Sequence, residues 1–74
     1  MTPEEYIEKL KDAERTLILV KEDLDRAIHN MEKRLETGYE YYEKDSRLAA
    51  LAGREYVRLV DKSIFELATD KIEY

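Results

Sequence analysis

Between Pro3 and Glu36 nothing in this 74-residue chain interrupts a helix, and apolar or small side chains return throughout in steps of three and four. Tyr6, Leu10, Ala13, Leu17 and Val20 open the series, and Leu24, Ala27, Met31 and Leu35 continue it. Such steps hold one stripe on one side of an α-helix, whereas a strand would need alternation, and sustained this far they approach a coiled-coil repeat. Ile7, Ile18, Leu19 and Ile28 flank the stripe and widen it enough to meet two neighbours, as bundle helices must. Thr2, Pro3, Glu4 and Glu5 supply an N-cap, a first-turn proline and dipole-matched acids in order. The fold class predicted is all-α.

Thr37 and Gly38 are the only clear punctuation in mid-chain, and glycine just past a periodic segment is the usual left-handed helix end. Glu40 with Lys44, and Glu43 with Arg47, are spaced for helical ion pairs, which favours a second helix starting near Tyr39; Asp45 or Ser46 could instead cap a later start. The expected organisation is a single domain over 1–74: helix 3–36, turn 37–38, helix about 39–72. The second arm carries Tyr42, Ala49, Gly53, Tyr56, Val60, Ile64 and Leu67 along one stripe. Glycine within a helix costs roughly 1 kcal/mol relative to alanine, so Gly53, one turn from Ala49, predicts the close approach of another backbone.

A chain this short buries a modest core and needs a supplement. With no cysteine and one histidine, His29, neither disulfides nor a Cys/His zinc site can provide it. Oligomerisation remains. Two long rods cover one strip each, so the expected architecture is a two-helix hairpin that dimerises into an antiparallel four-helix bundle. The alternative, a monomeric three-helix bundle, requires a break between Arg15 and Glu22, where no Gly, Pro or cap cluster stands. The interface expected in the dimer comprises Leu10, Leu17, Val20, Leu24 and Met31 from the first arm. The second arm would add Ala49, Gly53, Tyr56, Val60 and Ile64.

Charge and composition set further bounds. Glutamine is absent, Asn30 is the only asparagine and 42% of residues are charged, a balance that suits a heat-adapted protein or a designed one. The longest apolar run, Leu17 to Val20, is far too short to cross a bilayer, and the acidic N-terminal stretch does not read as an export signal, so the expected compartment is the cytoplasm. A formal net charge of −5 argues against nucleic acid and against anionic membranes as partners.

Chemistry-bearing constellations are sparse. His29 shares a face with Asp25 and Glu22, but a carboxylate-bridged metal bundle uses Glu-x-x-His, and the residue three before His29 is Arg26. Gly38 and Gly53 stand alone, so there is no phosphate-cradling loop, and no Ser/His/Asp set can be assembled. The sequence therefore predicts no enzyme activity, no cofactor and no metal. Tyr39, Tyr41 and Tyr42 gather at the turn among Glu40, Glu43 and Asp45, and could form either a bundle cap or a tip that binds a partner protein.

The stretch Tyr41, Tyr42, Glu43, Lys44, Asp45, followed by Leu48, Ala49, Ala52, Gly53 and Tyr56, resembles the central hairpin of HEPN-type helical domains, in which a tyrosine-and-acid turn precedes an alanine-rich helix. The resemblance covers about a third of the chain. It implies a dimeric helical domain of the kind found in toxin–antitoxin and nucleotide-transferase partner proteins, here an accessory subunit binding protein or RNA. The RNases of that family carry an arginine four to six residues before a histidine; Arg26 precedes His29 by three, so no catalytic residue carries over. The functional expectation is a non-catalytic structural or interaction module that self-associates as a homodimer, with the HEPN-like subunit and a metal-binding bundle as alternatives.

Overall fold

A computed structural model describes all 74 residues, and it contains two helices and no strand. Helix α1 spans Pro3–Thr37 and helix α2 spans Glu40–Thr69. The Thr2 hydroxyl accepts from the Glu5 amide at 3.2 Å, and Glu4 and Glu5 occupy the first turn where the helix dipole favours acids. At the other end Gly38 adopts φ 79°, and its amide donates to the Arg34 carbonyl at 2.9 Å. That left-handed residue reverses the chain, and Tyr39 begins α2 without a side-chain cap. No break occurs between Arg15 and Glu22, so the three-helix alternative is excluded.

The second helix ends at Thr69, short of the expected Ile72, because the last residues have another partner. The Glu73 amide donates to the Met1 carbonyl at 2.7 Å, and the Met1 ammonium donates to the Lys71 carbonyl at 3.2 Å. The tail thus lies across the chain's own start and closes the open end of the hairpin.

Two helices side by side make a rod of 58 × 15 × 11 Å, with a radius of gyration of 17.0 Å, against about 11 Å for a compact domain of this length. Its core is a seam of small side chains. Ala13 and Ala27 of α1 meet Ser46, Ala49, Gly53, Val60 and Leu67 of α2, and Ala49 is fully enclosed. A Cβ added at Gly53 would stand 3.4 Å from the Asp23 Cβ and 3.8 Å from the Val20 carbonyl, so the close approach at this glycine is that of the chain's own first helix. The Ser46 hydroxyl donates to the Ala27 carbonyl at 2.6 Å across the buried seam, which fixes the register of one helix on the other. Seven ion pairs form at helical spacing of three or four; six lie on the outside, where such exposed pairs contribute only a few tenths of a kcal/mol each, and the seventh joins Arg26 to Asp23, whose side chain is largely covered by the seam.

Candidate interaction surface

The seam divides the apolar stripe of α1 into two rows. Tyr6, Ala13, Val20 and Ala27, seven residues apart, turn inward and are buried or half-buried. Leu10, Leu17, Leu24 and Met31 follow the same spacing one turn on, and form a shoulder beside the seam. On α2 the inward row is Ser46, Gly53, Val60 and Leu67, and the shoulder next to the α1 leucines is Glu43, Ala50, Val57 and Ile64. In antiparallel helices matching shoulders lie on one side, so these two rows make one continuous face. Leu10, Leu17, Leu24, Val57 and Ile64 are each between 42% and 48% exposed, half covered by their own hairpin and half open.

The residues expected at a dimer interface therefore separate. Leu10, Leu17, Leu24 and Ile64 stand on the open face, with half-covered Met31 at its far end. Ala49, Gly53 and Val60 are enclosed in the seam of a single chain, and Val20 is half-buried there, so these four are corrected from intermolecular to intramolecular packing. Tyr56 lies at the edge of the other face. Sequence reasoning missed Val57 and Ala50 as members of the open face; their seven-residue spacing to Ile64 was the signal.

The opposite side is built differently. Its shoulders are Asp12, Leu19, Arg26 and Lys33 on α1, with Asp45, Ala52, Leu59 and Glu66 on α2, so charge interrupts every apolar run. A cleft of about 380 Å³ opens there between the helices, floored by Ala13, Val60 and Leu67 and rimmed by Lys9, Glu66 and Asp70. Three small seam residues at this level, Ala13, Thr16 and Ser63, leave the space unfilled. Farther along, Asp23 directs Oδ1 to Arg26 at 3.4 Å, while its Oδ2 is closed off from solvent without a hydrogen-bond partner.

At the turn, the Tyr41 and Tyr42 rings lie 4.1 Å apart and the Tyr39 and Tyr41 rings 6.0 Å apart. Tyr39 and Tyr41 are exposed and Tyr42 is half-buried, so the cluster projects from the tip more than it covers the seam. Hydrogen bonding with Tyr42, then desolvation, then the charges of Tyr42, Tyr39 and Asp45 hold the Tyr41 phenol above its ordinary value of 10.0. His29 lies on the outer side of α1, exposed like Glu22 and Asp25, and no group of three or more His, Asp or Glu side chains converges where a metal ion could sit. No helix is long and apolar enough to cross a membrane. No family model, no curated protein and no solved structure matches this chain.

Proposed function

We propose that this protein is a non-catalytic self-association module, in which two hairpins pair through the leucine face as a four-helix bundle. The supporting observation is surface area. A compact monomer of 8.8 kDa exposes about 4,800 Å², whereas this one exposes 5969 Å², an excess of roughly 1,200 Å². A standard protein–protein interface removes about 800 Å² per partner, so the excess is large enough for a stable dimer. A single layer of two helices has no second layer to bury against, and another copy supplies one. The resemblance of the Tyr41 to Tyr56 stretch to HEPN-type domains favours the same dimeric reading.

Sedimentation equilibrium at micromolar concentration is the direct test: the expected mass is twice 8.8 kDa, with a melting temperature that rises with protein concentration. A mass of one chain throughout that range, with concentration-independent melting, would falsify the proposal.

The tyrosine tip favours one further role, a contact with a partner protein, because exposed aromatic rings bring area at low entropic cost. Replacing Tyr39 and Tyr41 with alanine would then abolish partner capture while the module's own mass stays unchanged.

A further inference from the structure

With their rods aligned, as in a four-helix bundle, the two copies can meet face to face in only two symmetric ways, and side-chain volume and charge separate them. A twofold axis along the rod would put both turns at the same end and set α1 against α2 of the second copy. An axis across the rod would put the turns at opposite ends, with α1 against α1 and α2 against α2. We infer that the dimer takes the second form, with the turns at opposite ends; this rests on the dimer proposed above.

The open face has four layers, because residues whose numbers sum to about 74 lie level: the Ser46 to Ala27 hydrogen bond and the packing of Gly53 on Val20 fix that register. From the termini to the turn the layers are Leu10 with Ile64, Leu17 with Val57, Leu24 with Ala50, and Met31 with Glu43. The face therefore tapers from bulky to small and ends on a carboxylate. With the turns together each layer meets its own copy, so two Leu10–Ile64 layers crowd while two Leu24–Ala50 layers leave a void, and two Glu43 carboxylates share one layer. Turned end for end, Leu17 and Val57 fill the space beside Leu24 and Ala50 of the second copy. Bulky against small is how cores interdigitate without cavities.

The charged row outside each shoulder gives the same answer independently. On α1 this row is Glu14, Lys21 and Ile28, level with Asp61, Arg54 and Arg47 on α2. With the turns together, Glu14 faces Asp61 of the second copy twice and Lys21 faces Arg54 twice, all like-charged. Reversed, Arg47 faces Asp61 of the second copy twice, and Glu14 faces Ile28. The remaining like contacts, Lys21 on Lys21 and Arg54 on Arg54, fall on the axis, where Lys21 already pairs with Asp25 of its own chain at 3.2 Å. Opposite signs across a rim suppress the wrong arrangement even where they add little affinity.

The chain has no cysteine, so a nitroxide at Glu36→Cys, an exposed residue beside the turn, gives one label per copy. Glu36 lies about 15 residues from the proposed axis, so at 1.5 Å per residue the two labels should stand on the order of 45–50 Å apart. With the turns together they would be separated only by the width of the bundle, about 20 Å for helices packed 8–10 Å apart. A dominant short distance overturns the orientation and leaves the dimer standing; no dipolar coupling, with a one-chain mass, overturns the dimer itself. Asp61→Arg provides the second readout. It should weaken association on the order of tenfold by facing Arg47 twice. In the rejected arrangement it would meet Glu14 and strengthen association, so tighter binding refutes the inference.

Discussion

The two glycines of this chain should answer the same substitution in opposite directions. At Gly53 the backbone is helical, and an added Cβ meets nothing closer than 3.4 Å, an ordinary van der Waals separation. Gly53→Ala therefore recovers the helix propensity that glycine forfeits, about 1 kcal/mol, without a clash. At Gly38 a Cβ meets no atom at all, yet φ is 79°. A side chain in that left-handed conformation costs about 1–2 kcal/mol, so Gly38→Ala should destabilise the fold although the space around it is empty. For a domain of this size each kcal/mol displaces the melting temperature by about 4–8 °C, giving a rise for the first variant and a larger fall for the second. Urea unfolding followed by far-ultraviolet circular dichroism, at one fixed protein concentration so that association does not intrude, reads both. Loss of more than about 1 kcal/mol in Gly53→Ala would mean that the helices approach more closely than the seam described above. An unperturbed Gly38→Ala would mean that the reversal at the turn is not left-handed.

Other outcomes follow from individual contacts. Ser46→Ala removes the hydroxyl that donates across the seam to Ala27 but leaves that carbonyl its place in the helix ladder, so unfolding free energy should fall by about 0.5–1.5 kcal/mol. Asp23→Ala deletes a carboxylate oxygen sealed from water without a partner, and replaces a poor helix former; stability should rise by about 1 kcal/mol despite the lost contact to Arg26, and a fall would show that Oδ2 has a partner after all. The Tyr41 phenol, held above 10.0 chiefly by Tyr42, should titrate lower in Tyr42→Phe when followed by carbon NMR of its ring. Because the folded value is the raised one, folding is favoured by this group below the unfolded value and that contribution is lost as pH climbs through the folded value. Raising salt to molar levels should alter the unfolding midpoint little, since the ion pairs are exposed and short-range; a large drop would reveal a charge network that their geometry does not suggest.

The periodicity of the first arm conveyed the helix, its length and its caps, and Gly38 marked the turn, because each of these depends on local backbone chemistry alone. The division of labour within the stripe was not legible. A step pattern of three and four describes one broad apolar band, and the same band serves whether its inner or outer half meets the sister helix. Ala13 and Ala27 take the inside because small side chains let α1 approach Ala49 and Gly53, which pushes Leu10, Leu17 and Leu24 to the rim. The second inward row, Thr16, Asp23 and Asn30, is polar and half-buried, so no search for apolar spacing could have found it. For the same reason Gly53 was readable as a site of close packing, but which backbone approaches it depends on the docking of the two arms, a tertiary property.

The hydrogen bonds that tie Met1 to Lys71 and Glu73 bring the two ends of the polypeptide to a single corner. A passenger fused at the front and another fused at the back would emerge as neighbours, and a host protein could carry the whole rod as a stalk inserted in one surface loop. If two copies pair end for end as proposed, those corners would sit at far extremities, and the assembly would act as a ruler, holding two sets of attached cargo apart by the length of the rod.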